Sequence, residues 1–283
     1  MSCSVLFTLC LSTFTQAPAE AEIELREKIV YAQIGERELL LDAYLPAKKD
    51  PKPPAVLVVH GGAWRHGNRK QLRNYAKALT QRGFACFAID YRLAPAHKFP
   101  AQIEDCRAAV RWIRKNAEKY SIDPHKLGAI GYSAGGHLVT LLATTGEKND
   151  DGDTRLQAVA AGGAPTDFRW FPDNGKWAEY WMGGDLKTVP EKFRQASPGV
   201  FADKSDPPVF FFSGTKDKVV PLVWTRVGVQ AMKNAGVRTE LHTIQDAGHM
   251  QAARDAEALK KAYDFLQSEL MRASLNDEIP NDE

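Results

Sequence analysis

Residues 127–136, Leu-Gly-Ala-Ile-Gly-Tyr-Ser-Ala-Gly-Gly, constrain this chain more than any other stretch. A short apolar run ends in G-x-S-x-G and passes at once into an apolar helical segment, His137 to Ala143. Strand, sharp turn and helix in that order are the signature of a nucleophile elbow. The turn holds its serine in a strained conformation, and glycines two residues to either side keep bulky side chains off the neighbouring strand and helix. Ser133 is therefore the candidate nucleophile. The Ala134 N–H, at the start of the new helix, is placed to stabilise a developing oxyanion. The pentapeptide alone is common, and its weight comes from partners elsewhere in the chain.

Two of those partners lie downstream, in the order serine, acid, histidine. Pro208 to Thr215 reads as a buried strand bounded by prolines and a glycine turn, and Asp217 stands just past its end. Open α/β sheets place their sites at this carboxyl edge. Val237 to Ile244 alternates apolar and polar as a further strand, followed by Asp246-Ala247-Gly248-His249. A helix rich in Ala, Lys and Glu is expected from about Gln251 to Arg272. An aspartate after a strand is ordinarily a turn residue, and a lone loop histidine is ordinarily just exposed. The joint order, each residue closing its own strand, selects Ser133, Asp217 and His249 as the catalytic set.

A fourth element lies upstream. The strand Ala55–His60 runs into Gly61-Gly62-Ala63-Trp64, and an H-G-G-type loop after the third strand supplies backbone donors to an oxyanion hole. The expected donors are the N–H groups of Gly62 and Ala63, together with Ala134. An ordinary glycine-rich turn is the plain alternative.

Here the residues resemble a family. His60-Gly61-Gly62-Ala63-Trp64, Asp90-Tyr91-Arg92-Leu93-Ala94-Pro95 with Phe99-Pro100-Ala101, and Gly131-Tyr132-Ser133-Ala134-Gly135-Gly136-His137 look like an α/β-hydrolase of the hormone-sensitive-lipase-like type. Within that type the chain is most similar to the bacterial carbohydrate-esterase and feruloyl-esterase-like (BD-FAE-like) branch, over roughly residues 25 to 270. The resemblance implies a serine esterase that acts through an acyl-enzyme on short acyl esters of carbohydrates or aryl alcohols. Ala63 departs from the third glycine of many relatives but keeps its N–H. The short N-terminal region leaves little chain for the helical cap such esterases often build. Kynurenine formamidases share the H-G-G-x-W pattern, so an amidase stays open. A catalytically dead binding protein is the remaining alternative, although such proteins typically lose the serine or the histidine. By the same pattern Tyr91 and Arg92 are expected to brace the oxyanion loop, His60 to orient it, His137 to be a hydrogen-bonded core residue, and Asp105 to form a structural salt bridge.

The remaining chain agrees with this fold class. At 283 residues it is long enough for one α/β domain, assigned to residues 22–272, with a substantial core. Helical stretches at Tyr75–Arg82, Ala101–Lys119 and Leu222–Asn234 fall between buried strands. This predicts a mostly parallel sheet of about eight strands, covered by helices on both faces. Strands near Ile23–Tyr31 and Glu38–Tyr44 are expected to form an antiparallel edge. A long insertion, Ala164 to Val200, follows the strand Leu156–Ala161 and is expected to wall a substrate pocket. Trp170, Trp177 and Trp181 from it, with Trp64 and Tyr132, are the candidate pocket residues. Packing of its aromatics beneath a cap is the plainer role.

A net charge of +2 with scattered Lys and Arg leaves no nucleic-acid footprint. The cluster Arg65, His66, Arg69, Lys70 and Arg73 reads as a solvated helix face; an acidic or uronic-acid-bearing substrate is the sharper alternative. No Cys/His spacing resembles a metal site, and the expected chemistry needs no cofactor. Residues 5–11 are apolar enough for a signal-peptide core, although no Lys or Arg precedes them, so export is preferred over a cytosolic location, and stable membrane insertion is not expected. After a leader of residues 1–21, Cys86 and Cys106 would remain, as one disulfide or two thiols. The tail, residues 273–283, is polar. Nothing in the sequence fixes the oligomeric state.

Overall fold

Apolar runs such as Ala55-Val-Leu-Val-Val59 and Ala85-Cys-Phe-Ala-Ile89 leave no polar face, so their strands have to be covered on both sides. The computed structural model describes residues 22–170 and 178–271. In chain order it contains β1 (Ile23–Ile34), β2 (Arg37–Pro46), β3 (Ala55–Val59), α1 (Arg73–Gln81), β4 (Ala85–Ile89), α2 (Ala101–Lys115), α3 (Ala117–Tyr120), β5 (Leu127–Tyr132) and α4 (Ala134–Thr145). A small hairpin, β6 (Lys148–Asn149) and β7 (Gly152–Asp153), precedes β8 (Ala158–Gly162). Then come α5 (Pro190–Gln195), β9 (Val209–Gly214), α6 (Leu222–Asn234), β10 (Thr239–Ile244), α7 (His249–Ala252) and α8 (Ala256–Leu270).

Eight strands form one sheet in the order β1-β2-β4-β3-β5-β8-β9-β10. β1, β2 and β4 pair antiparallel, and every pairing from β4 to β10 is parallel. Alternate residues of each strand serve opposite faces. Ala55, Leu57 and Val59 of β3 join one core, while Val56 and Val58 join the other. β4 and β9 divide in the same way, with Phe87 and Phe211 on the first side and Cys86, Phe210 and Phe212 on the second. The first core takes residues from α2, α4 and α5, the second from α1 and α8. The α/β-hydrolase sheet expected from the sequence, with its antiparallel edge, is therefore present. Among the described residues, no helix is long and apolar enough to cross a membrane.

Several boundaries differ from the sequence expectation. The single C-terminal helix is two helices, because Asp255 accepts a hydrogen bond from the Ala258 N–H at 2.8 Å and caps a new start for α8. The expected helix to Lys119 breaks at Asn116, whose side chain donates to the Trp112 carbonyl, and α3 ends at Ser121 with φ 52°. The basic stretch at residues 65–72 is not a helix face: α1 begins at Arg73, and Arg69 is largely buried. Its guanidinium donates to Asp42 and to Asp90, both at 2.7 Å, and its backbone N–H donates to Asp90 as well. This clamp ties the loop after β3 to β2 and to the end of β4. Cys86 and Cys106 are separate buried thiols, each held protonated by desolvation, the Cys86 pKa pushed up to about 12. The expected leader and tail lie outside the described residues.

Asp105 forms the structural pair expected of it. Buried on α2, it accepts from both the backbone N–H and the side chain of Arg92, at 2.7 and 2.8 Å. Replacing it leaves a mostly buried guanidinium with the Ala101 carbonyl and the Glu104 carboxylate, each at 3.2 Å. Asp105→Ala is expected to cost about 3–5 kcal/mol of unfolding free energy, measured by urea titration; a cost within 1 kcal/mol would mean that water reaches Arg92 freely.

Candidate active site

The elbow is built by backbone contact. An added Cβ at Gly135 would lie 2.0 Å from the Val59 carbonyl oxygen, and one at Gly131 would lie 2.4 Å from the Gly135 carbonyl carbon. Only hydrogen fits at these two positions, which lets α4 start directly against the end of β3. Ser133, between them, has φ 57° and ψ −122°, a conformation most residues avoid. Its N–H donates to the Gly162 carbonyl at 2.7 Å, and its carbonyl accepts from the His137 N–H. The strained turn is thus fixed from both sides, at the carboxyl edge of the sheet.

Asp217 and His249 meet at the same edge. His249 Nδ1 lies 2.6 Å from Asp217 Oδ2. The other Asp217 oxygen accepts from the Val219 and Val220 N–H groups, each at 2.8 Å. Three donors therefore hold a fully buried carboxylate, and the imidazole is turned to place Nδ1 on it and Nε2 away from it. The Tyr132 hydroxyl donates to the His249 carbonyl, and the two rings lie 5.1 Å apart. Tyr132, expected in the pocket, lines the cleft but uses its only polar atom to position His249.

The loop after β3 turns sharply beside Ser133. Gly62, Ala63 and Trp64 all have positive φ, at 108°, 52° and 58°. Arg65 and His66 N–H groups close the turn onto the Gly62 carbonyl, and the Tyr180 hydroxyl donates to the Ala63 carbonyl. Among the described residues, the Gly62 and Ala63 N–H groups donate to no carbonyl. Tyr91 donates to the His60 carbonyl and stacks on the His60 ring at 4.2 Å, bracing the loop as expected. His60 Nδ1 contacts the Gly61 carbonyl at 2.7 Å, while Nε2 is buried without a partner among the described residues.

Two spaces open at Ser133. A cleft of about 610 Å³ is lined by Gly62, Ser133, His249 and the cationic residues Lys70, Arg73 and Arg254. On the other side, a pocket of about 190 Å³ is lined by Trp64, Phe168, Tyr180, Val220 and Trp224. Of the expected pocket residues, Trp64 thus lines the small one. Trp181 does not reach it: fully buried, it stacks on Trp64 at 3.5 Å and donates to Gln102. It supports the wall from behind because the single π-helical turn Ala178–Met182 points it inward. The Trp170 side chain and Trp177 lie outside the described residues.

His137, one turn into α4, is core as expected. Nδ1 accepts from the Trp64 indole N–H at 3.2 Å, and Nε2 contacts the Ala196 carbonyl at 2.7 Å, an arrangement that suits the neutral ring. Among the described residues, no group of His, Cys, Asp and Glu could hold a metal ion. The Arg69 clamp and the Tyr180 bond to the loop had no sequence signal, because their partners are remote in the chain. The Val219 and Val220 N–H bonds to Asp217 did have one, the Asx-type turn that an aspartate makes two residues on.

The BD-FAE family model matches residues 41–227 of the chain. The chain is 31% identical over 242 residues to the esterase LipC of Mycobacterium tuberculosis, covering 79% of this chain and 59% of LipC. It is similar in structure to a truncated carbohydrate esterase from gut microbiota, with TM-score 0.81, 26% identity, and coverage of 90% of this chain and 99% of that one. It is also similar to the esterase Est2 of Thermogutta terrifontis, with TM-score 0.74, 26% identity and coverage of 91% and 95%. The chain spans about three fifths of the length of the first curated relatives it matches.

Two buried imidazoles beneath the site give the fold an acid limit. Burial pulls the pKa of both His60 and His137 down from 6.5 to about 4. Between those values the unfolded chain binds protons that the folded chain refuses, so stability rises with pH across that window and falls as pH drops through it. The melting temperature is expected to decline progressively from pH 6.5 to pH 4, and less steeply in His137→Gln than in the parent; a profile flat over that window would refute the neutral assignment.

Proposed function

Because the chain belongs to the BD-FAE family of α/β-hydrolases, we propose that it is a serine carboxylic-ester hydrolase acting on short acyl esters, acetyl first, of carbohydrate or aryl alcohols. The observation that carries this reading is the Asp217–His249 contact at 2.6 Å beside a strained Ser133. In the proposed reaction His249 Nε2 takes the Ser133 proton as the hydroxyl oxygen attacks the acyl carbon. Asp217 holds the tautomer and balances the imidazolium charge that forms. The Gly62, Ala63 and Ala134 N–H groups receive the oxyanion; removing one such donor typically costs about 10²–10³ in turnover. His249 gives its proton to the leaving alcohol oxygen, an acyl-enzyme remains, and the same imidazole then activates water to release the acid.

The two spaces divide the ester. The 190 Å³ pocket is less than a third of the 610 Å³ cleft and is assigned to the smaller, acyl part of the ester. Acetyl to butyryl groups are the ones proposed to fill it, with longer acyl chains disfavoured. Est2 has been solved with propionate and with butyrate bound, acids of that size. The larger cleft then takes the alcohol. An amidase would use the same groups, and matched amide and ester substrates distinguish it. Export of the protein is part of this reading through the apolar segment near its start.

Ser133→Ala is expected to lower kcat on p-nitrophenyl acetate by roughly 10⁴-fold or more with the fold retained by circular dichroism. Equal activity of variant and parent would remove Ser133 from the reaction. Among p-nitrophenyl esters, kcat/KM is expected to fall at least about tenfold from butyrate to octanoate, a step of about 1.4 kcal/mol in transition-state binding. A preference for octanoate or methyl ferulate would reverse the assignment of the small pocket.

A further inference from the structure

The larger cleft has an unusual charge balance. Lys70, Arg73 and Arg254 line it together with His66, and among the described residues no Asp or Glu lines it. Lys70 is paired at its outer side with Glu27, at 2.8 Å. Arg73 and Arg254 are exposed, and among the described residues neither forms an ion pair. The acids just after Arg254 have other partners: Asp255 caps α8 through the Ala258 N–H, and Glu257 pairs with Lys261 at 2.7 Å; Asp217 beneath the cleft is buried on His249. Arg73 is moreover the first residue of α1, where the helix dipole adds positive potential.

The segments that carry the two arginines are joined. The Tyr75 hydroxyl, one residue beyond Asn74 on α1, donates to the Ala253 carbonyl at 2.6 Å. The residue before Arg254 is thereby bonded to the helix that Arg73 begins. Tyr75 also packs edge-on against Tyr263 of α8, at 6.2 Å. A bare cluster of cations on a mobile surface costs self-repulsion and disperses. Here two joined elements both place an arginine along one cleft that also contains Ser133, and neither arginine lines the small acyl pocket.

Building on the esterase reading above, we infer that the alcohol part of the natural ester carries a carboxylate, which Arg73 and Arg254 receive with Lys70 as a further positive charge. The guanidinium fork matches a carboxylate in two-point contact. A cleft lined by one sign of charge also raises the local concentration of an oppositely charged substrate. A uronic acid esterified on a ring hydroxyl and a hydroxybenzoate esterified on its phenol share this chemistry.

The test compares kcat/KM for two matched pairs. One is mono-O-acetyl methyl glucuronoside against its uncharged carboxamide, and the other is 4-acetoxybenzoate against 4-acetoxybenzamide. The anionic member of at least one pair is expected to be favoured by roughly tenfold at low ionic strength, and the pair that shows it identifies the source. The ratio should shrink as salt is raised, because the groups are exposed. In the Arg73→Gln/Arg254→Gln protein the ratio should approach one. Wild-type ratios at or below one in both pairs, or a ratio unmoved by the double substitution, would overturn the inference. p-Nitrophenyl acetate in the same preparations separates the two levels: its hydrolysis with flat ratios removes only the charge preference, and its resistance to hydrolysis removes the esterase reading and this inference together.

Discussion

Helix α4 begins where β3 ends, its Gly135 backbone so near Val59 that a methyl group would lie 2.0 Å from the carbonyl oxygen. That approach fixes three things at once. It sets the turn angle that forces Ser133 to φ 57°, it aims the first free N–H groups of α4 above the sheet, and it brings the loop after β3 beside them. The rest of the site is arranged around this point. Tyr91 and the Arg69 clamp hold the loop from behind, and the Ser133 N–H is held by Gly162 of the neighbouring strand. Without the backbone contact, the donors and the hydroxyl would have no common origin.

Burial of polar groups around that origin is handled mostly by pairing; among the described residues, His60 Nε2 and Asp42 Oδ2 are left without a partner. Asp217 accepts three hydrogen bonds, and His137 uses both ring nitrogens. Asp42 and Asp90 share a single arginine. Each arrangement offsets a desolvation penalty that would otherwise be several kcal/mol, and each restricts the orientation of the group it pairs. The two buried neutral imidazoles are the exception in one direction only, since they tolerate burial uncharged and resist protonation. Tight pairing near the nucleophile therefore comes with a fold that is less tolerant of acid.

Much of this was legible in the sequence because the relevant forces are local. The glycines flanking Ser133, the apolar runs of β3, β4 and β9, and the aspartate and histidine closing their strands all signal through neighbours within a few residues. Asp255 was equally local, a helix cap inside an otherwise helical stretch, and the continuous run of helix formers around it concealed the break. What could not be read depended on contacts between distant segments. Trp181 looked like a pocket aromatic, but its burial is decided by Trp64, Phe99 and Gln102, more than seventy residues away. Arg69 looked like a solvated cation for the same reason: Asp42 and Asp90 come beside it only when the sheet forms.

The Tyr132 hydroxyl bonds to the His249 carbonyl across three strand intervals, from the end of β5 to the first residue of α7 beyond β10. Tyr132 directly precedes Ser133, so the chain itself and one hydrogen bond connect the hydroxyl-bearing turn to the imidazole-bearing start of α7. Twisting or breathing of the sheet moves both ends of that link together. Their mutual distance is consequently a stiffer coordinate than the position of either against the solvent, and the alignment that proton exchange between them demands survives thermal motion that displaces the edge as a whole.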